Sequence, residues 1–224
     1  VRSRVPGLLP GGTLLHAEIP ELDDTGRRVL LERRLITREL SRCGRGSGVF
    51  VQKGETVSIL VNEEDHVRIQ AVQPGFRLRE TWDLCNAVDG VFLESVPVAY
   101  RRDLGFLTAR PSNLGTGLRA SVMMHLPGLT LLGQMQPVMR AVRKLHLTVR
   151  GVYGEGTEAV GNFYQISNQS TLGEPESAII QRLERVIRQV VWHEKNARLR
   201  LTRTRRADPS DHVGVRHRSL GFLG

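Results

Sequence analysis

Between Pro111 and Arg119 the chain reads Pro-Ser-Asn-Leu-Gly-Thr-Gly-Leu-Arg, and whatever fold it adopts must turn here. Pro fixes φ, Ser and Asn bond to their own backbone, and Gly115 and Gly117 reach positive φ without a steric penalty, so the stretch is a loop by composition. Exposed amides in such a loop form a concave anion site. Arg119 adds a planar, permanently charged fork suited to phosphate. From Leu118 the spacing of Val122, Met123, Leu126 and Leu129 reads as a helix reaching residue 132, interrupted at Pro127 and Gly128. The loop is therefore expected to open onto a helix N-terminus, where anions bind readily. These residues alone leave two readings open, a phosphate-binding corner or an ordinary loop before a core helix, because short Gly-rich motifs recur widely.

Regular elements are expected on both sides of that loop. Residues 13–19 read as a strand, and Asp23-Asp24-Thr25 as the cap of a helix over 26–35 with Val29, Leu30 and Leu31 inward and Arg27, Arg28 and Arg33 outward. Residues 43–48 are a Gly-rich turn, and 56–61 are a strand by β-branched content. In 66–71, Val67, Ile69 and Ala71 alternate with His66, Arg68 and Gln70. If extended geometry begins near Glu64, then Glu64, His66 and Arg68 share one polar face. A carboxylate beside a guanidinium suits a site that holds a cation next to a phosphate; a solvated ion pair on a strand accounts for the same residues. Residues 79–89 read as a short helix packing through Trp82, Leu84, Cys85 and Val88, and 97–103 as an irregular connector.

Beyond the loop, 137–145 read as a Pro-initiated helix and 147–150 as a strand running into a Gly-rich loop, 151–161, that carries Glu155 and Glu158. A further strand is expected over 161–167. A long amphipathic helix begins near Glu176, with Ile179, Ile180, Leu183, Ile187, Val190 and Val191 as its stripe. The basic run 198–206 reads as a solvated helix end rather than a polyanion site. Residues 1–12 are a poorly ordered lead-in and 208–220 a short packing segment. Strands and helices follow no regular βαβ period, which points to an α+β fold with an antiparallel sheet.

Pro-Ser-Asn-Leu-Gly-Thr-Gly-Leu-Arg resembles the signature loop of the ATP:guanido phosphotransferases, the family of creatine and arginine kinases. Its continuation Arg-Ala-Ser-Val-Met-Met-His-Leu-Pro (119–127) is closer to the bacterial protein arginine kinase branch. Val-Asn-Glu-Glu-Asp-His-Val-Arg-Ile-Gln (61–70), Val-Arg-Gly-Val-Tyr-Gly-Glu-Gly-Thr-Glu-Ala-Val-Gly-Asn (149–162) and Gln-Ile-Ser-Asn-Gln-Ser-Thr-Leu-Gly (165–173) are similar to the same family, in the same order, so the likeness covers roughly residues 14–220. The resemblance implies the guanido kinase catalytic domain (glutamine synthetase-like), an antiparallel sheet flanked by helices, over 13–220. It implies ATP with Mg²⁺, and phosphoryl transfer to a guanidinium, here of Arg side chains exposed on a protein. Glu64 is then the carboxylate that holds the acceptor, with Glu155 as a second contact. Arg68, Arg119 and Arg150 hold phosphate. Arg34 stands where the family has an adenine-contacting His, and Met123 lies near the adenine. The backbone of Arg119, Ala120, Ser121, Val122 and Met123, and of Arg150, Gly151, Val152, Tyr153, Gly154 and Glu155, lines the nucleotide. Where the family carries a Cys before the Pro of the signature loop, this chain has Arg110, a like charge set beside a cationic acceptor. The family's Ser-Ser-Arg-type N-terminal segment, with its two phosphate-binding Arg, and the later region that recognises phosphoarginine are expected to be missing. An impaired relative that binds nucleotide or phosphoarginine and regulates a partner is the alternative.

The formal charge of +9 over 224 residues favours anionic partners, much of the excess lying near the C-terminus. Aromatics are only 5% of residues and no nucleic-acid motif is present, which argues against a nucleic-acid module. No apolar run approaches the ~20 residues of a membrane span, and no signal peptide is visible. Cys43 and Cys85, without CxxC spacing, fit a reducing cytoplasm rather than a disulfide or zinc framework. Self-association is left open.

Overall fold

The computed structural model describes residue 9, residues 11–153 and residues 159–207. The expected packing segment 208–220 and the loop residues Gly154, Glu155 and Glu158 lie outside the described residues, as does most of the lead-in.

Strands β1 (Thr13–Glu18), β2 (Gly48–Gln52), β3 (Val57–Val61) and β4 (Val67–Ala71) form a sheet in that order. A second sheet has the order β7-β9-β8, from β7 (Ser121–His125), β8 (Leu147–Tyr153) and β9 (Ala159–Asn168). A small hairpin, β5 (Tyr100–Arg101) with β6 (Gly105–Phe106), precedes the signature loop. Every strand pairing named here is antiparallel, and the helices pack against the sheets, so the α+β expectation holds.

The first sheet is covered on both faces. On one side Phe50, Val57 and Ile59 meet Val88 and Phe92 of α2 (Leu78–Ser95), with Val67, Ile69 and Ala71 alongside. On the other, Val49, Val51 and Leu60 meet Leu30 of α1 (Asp24–Glu32) and Leu35, Ile36 and Leu40 beyond it. A strand buried on both faces loses the alternation that marks a half-exposed one. That is why β2, Gly-Val-Phe-Val-Gln, has no counterpart in the sequence reading. β4 does alternate, as expected, because its Arg68 and Gln70 face is polar.

Several helix boundaries differ from expectation for local reasons. Asp23 caps α1 by accepting from the Gly26 amide at 2.7 Å. The helix ends at Glu32, not at 35. The Leu35 amide reaches back to the Leu30 carbonyl at 2.9 Å and the Arg34 amide to the Leu31 carbonyl at 3.0 Å, a Schellman closure with Arg34 at φ 63°. Val29 is 43% exposed rather than inward, and Arg27 is turned in, donating to the Leu22 and Ser41 carbonyls at 3.1 and 3.3 Å. α2 runs straight through Gly90 to Ser95.

The largest correction concerns 118–132. Instead of one interrupted helix there is strand β7, followed by a short helix α3 (Pro127–Leu131). Val122, Met124 and Leu126 fit a period of two as well as Val122, Met123, Leu126 and Leu129 fit a period of 3.6. Short apolar runs cannot decide between the two. Pro127 starts the helix rather than breaking one. α4 (Met135–Lys144) begins two residues ahead of Pro137.

The second sheet is covered on one face only. Met124, Val149, Tyr164 and Ile166 pack against α4 and against Ile180, Leu183, Ile187 and Val190 of α5 (Glu176–Ala207). α3 is stitched to α5 by the buried carboxylate of Glu194, which accepts from the Gly128 and Leu129 amides at 2.9 Å each and pairs with Arg198. Burial alone would raise the Glu194 carboxyl. The Arg198 bond and the two amides outweigh that, and hold it below the usual range. α2 is tied to the start of α5 by the Trp82 indole, which donates to Glu176 at 3.0 Å. Cys85, on α2, is pushed up to about 11 by burial, then by Asp89 and Glu176, as befits the small packing residue expected there.

Candidate active site

The expectation that extended backbone begins near Glu64 fails, and the reason defines the site. Residues 62–66 form a compact turn between β3 and β4. Asn62 sits at φ 54°, its amide donates to the His66 carbonyl at 2.9 Å, and its side chain donates to the Gly46 carbonyl at 2.9 Å. His66 returns to the Asn62 side chain rather than lining a polar face with Glu64. The turn sends three consecutive carboxylates in three directions. Glu63, 1% exposed at its side chain, accepts from Thr37 and from the Arg68 guanidinium at 3.3 Å. Glu64, 30% exposed, pairs with the Arg110 guanidinium, which is 55% exposed. Asp65 accepts from the Ala109 amide at 2.7 Å, the Arg110 amide at 3.2 Å and the Asn113 side chain at 2.7 Å.

Asp65 thus fixes the front of the signature loop. Thr171 and Asn168 fix the rest. The buried Thr171 hydroxyl donates to the Leu114 carbonyl at 2.6 Å, with the Ser112 carbonyl also in reach at 3.1 Å, and the Thr171 carbonyl accepts the Thr116 amide at 2.9 Å. Asn168 accepts the Ala120 amide at 2.8 Å and donates to the Leu118 carbonyl at 2.9 Å. Gly115, at φ 105°, lies so close to this strap that a Cβ would come within 2.5 Å of the Thr171 carbonyl oxygen.

These contacts also revise the expected anion nest. The amides of Asn113, Leu114, Gly115, Thr116, Leu118 and Ala120 all donate within the fold, and the loop leads into a strand, not a helix N-terminus. Those six amides are spent within the fold, so side chains must supply much of the grip on any anion bound here. Those side chains are present. Arg119 follows the strapped loop directly, and its guanidinium is pushed below its ordinary value by lost hydration first, then by the charges of Arg150, Arg68 and Arg110. Arg119 is thus the guanidinium that feels the others most, while Arg68 and Arg110 are each paired with a carboxylate, Glu63 and Glu64, so added negative charge beside Arg119 would be favourable.

The open face of the second sheet lies beside this cluster. Met123 stands opposite Gln165, and Gln165 opposite Arg150, so the three form one row across the sheet. Met123 is 44% exposed. One row along, His125 stacks on Phe163 with centroids 4.8 Å apart. Gln165 also donates to the Ser121 hydroxyl at 2.9 Å. Ala120 and Val122 turn their side chains to the core, while Gly151, Val152 and Tyr153 contribute backbone to β8. Arg34 is held near the polar face of β4, since Gln70 donates to its carbonyl at 3.0 Å and to that of Leu35.

Glu64, Arg68, Arg110, Arg119, Arg150 and the exposed row through Met123 are therefore built around one loop, and Gly154 and Glu155 are outside the described residues. Asp65, Thr171, Asn168 and the His125–Phe163 pair carry no role in the sequence reading. All of them lie within or beside stretches that carry the resemblance. Periodicity cannot reveal a side chain whose work is to bond a distant backbone.

A model of the family described as "ATP:guanido phosphotransferase, C-terminal catalytic domain" matches residues 12–197. The protein-arginine kinase of Caldanaerobacter subterraneus subsp. tengcongensis is 44% identical over 206 residues, which is 92% of this chain and 60% of that protein. The protein-arginine kinase of Bacillus subtilis is 42% identical over 219 residues, 98% of this chain and 58% of that protein. The chain thus spans about three fifths of the length of these curated relatives. Among solved structures, the duplicated taurocyamine kinase from Schistosoma mansoni with bound transition state analog components is similar at a TM-score of 0.74 and 27% identity, covering 86% of this chain and 28% of that one. Lombricine kinase is similar at a TM-score of 0.69 and 26% identity, over 85% of this chain and 57% of that one.

Proposed function

The chain belongs to the ATP:guanido phosphotransferase family through its C-terminal catalytic domain, and from that premise we propose that it transfers the γ-phosphoryl group of ATP to arginine side chains of proteins. The observation that carries this reading is the placement of Glu64 against a guanidinium, beside the arginine cluster around Arg119.

A guanidinium is a poor nucleophile because it stays protonated beyond pH ~12. It needs a carboxylate that aligns the attacking nitrogen and accepts its proton, and Glu64 takes that role. Glu155 is the second acceptor contact. Arg68, Arg119 and Arg150 supply fixed positive charge where the transferred phosphoryl group gathers negative charge. The open row with Met123, and the neighbouring Phe163, offers apolar surface to the base, while the backbone of 119–123 and 150–155 lines the nucleotide. Arg34 takes the adenine contact in this reading. Mg²⁺ enters as the ion of the nucleotide and neutralises phosphate charge. Among the described residues no group of three His, Cys, Asp or Glu could hold a metal, and the carboxylates of the turn are engaged by Arg68, Arg110 and loop amides, so phosphate oxygens and water are its natural ligands. Both cysteines are free thiols, and no helix among the described residues is long and apolar enough to cross a membrane; a cytoplasmic site of action fits the thiols. The alternative of binding without transfer gains nothing from the relatives, which are named as kinases.

The test is incubation with Mg-ATP and an arginine-rich protein, followed by mass spectrometry under conditions that preserve the P–N bond. Phosphoarginine should form, and Glu64→Gln should lower its rate by about 10²-fold or more. Transfer confined to hydroxyl groups, or none at all, would sink the reading.

A further inference from the structure

Glu64 is not waiting for a cation. Its carboxylate already holds the Arg110 guanidinium. The Arg110 backbone is fixed on both sides, its amide on Asp65 at 3.2 Å and its carbonyl accepting from the Thr108 hydroxyl at 2.7 Å. The side chain is therefore tethered within reach of Glu64 whatever else binds. An acceptor arginine must take Arg110's place, and Arg110 must then go elsewhere. Glu63 is occupied by Arg68 and Thr37. On the other side stands the arginine cluster, whose Arg119 already feels Arg110 as a like charge. Among the described residues, the carboxylates of the turn are already engaged, Glu63 by Arg68 and Thr37 and Asp65 by loop amides and Asn113, so neither receives the displaced Arg110.

We propose that Arg110 is a specificity-determining residue, which makes the site select acceptor arginines that carry a carboxylate on an adjacent residue. Such an acceptor brings its own counter-ion. Its guanidinium replaces Arg110 on Glu64, and its Asp or Glu receives the displaced Arg110, so the pair count is restored. An acceptor with neutral flanks leaves Arg110 unpaired beside three other arginines. The inference rests on Glu64 being the acceptor carboxylate, as read above.

The experiment measures peptide affinity by calorimetry, with the full chain and a non-hydrolysable Mg-ATP analogue present. Two peptides are compared that differ only in Asp or Asn beside a single Arg. With the native chain the Asp peptide should bind about fivefold more tightly, the scale of a partly exposed ion pair. In Arg110→Ala that ratio should fall to about one, and the Asn peptide should bind more tightly than it does to the native chain. Arg110→Lys should keep part of the preference. An unchanged thermal unfolding midpoint in each variant shows that the fold is intact. An equal ratio in native chain and Arg110→Ala would assign the preference to the basic surface at large, and a ratio of one in the native chain would mean that Arg110 turns to the nucleotide phosphates; either result overturns the proposal. Affinity is read apart from turnover, so a preserved, Arg110-dependent preference without phosphoarginine would reject the proposed reaction and leave this inference standing.

Discussion

The two sheets differ in what lies over them. The first has apolar cover on both faces, α2 on one and α1 with residues 35–40 on the other. The second is covered by helices on one face and presents Ser121, Met123, His125, Phe163 and Arg150 on the other. Folding demands the closed faces, because burying a side chain such as Phe50 is worth about 2–3 kcal/mol. It demands nothing of the open one. Exposed Met123 and Phe163 add little stability there, and under the proposed reading they are surface for the nucleotide to cover.

The contrast can be broken most forcefully at Phe50. Phe50→Ala should lower stability by about 4 kcal/mol, since it empties a fully buried volume, and urea unfolding reads this directly. A loss below about 1 kcal/mol would mean that the first sheet is not held by its two covers.

Acid should then separate the two covers by sign. Glu194 stitches the cover of the second sheet and has a lowered carboxyl. Its contribution is present above the unfolded value of about 4.3 and is lost as pH falls through the folded value. Asp89, on the helix over the first sheet, is raised by burial and then by Glu176. Its ionisation opposes folding at neutral pH, and the penalty is relieved as pH falls. Hydrogen exchange between pH 6 and pH 3 should show α3 and α5 losing protection before α2 does. In Glu194→Gln that ordering should weaken. Equal loss in both covers would contradict the assignment.

The smallest effect on stability is expected on the open face. Met123→Ala should change stability by no more than about 0.5 kcal/mol, yet weaken ATP binding several-fold. Calorimetry alongside thermal unfolding measures both. A large loss of stability with unchanged nucleotide affinity would turn the open face into an ordinary packing surface.

Much of this arrangement is legible in the sequence, and the failures share a cause. β3 follows from β-branched content, β4 from clean alternation and α5 from a clean helical stripe. The α1 cap follows from Asp23. β2 is missed because two-sided burial erases its pattern, and β7 is taken for a helix because Val122 and Leu126 serve either period. In the site, residue types announce Glu64 and the arginines. The turn that splits Glu63, Glu64 and Asp65 apart is invisible to alternation, since it depends on Asn62 reaching positive φ and on bonds to Gly46 and His66. The Arg110–Glu64 pair is equally hidden: a like charge expected to repel an acceptor stands on the carboxylate meant to receive it.

Asp65 sets a ruler as well as a contact. It follows Glu64 directly and grips the backbone of Ala109 and Arg110, so the lengths of two distant segments are matched to each other. Side chains in either segment can be exchanged while the match survives. Adding or removing one residue in 62–66 or 108–113 displaces Glu64 by about 3.3 Å relative to the loop, farther than any hydrogen bond tolerates. Substitution can therefore retune what Glu64 holds, but a change in the length of either segment breaks the match.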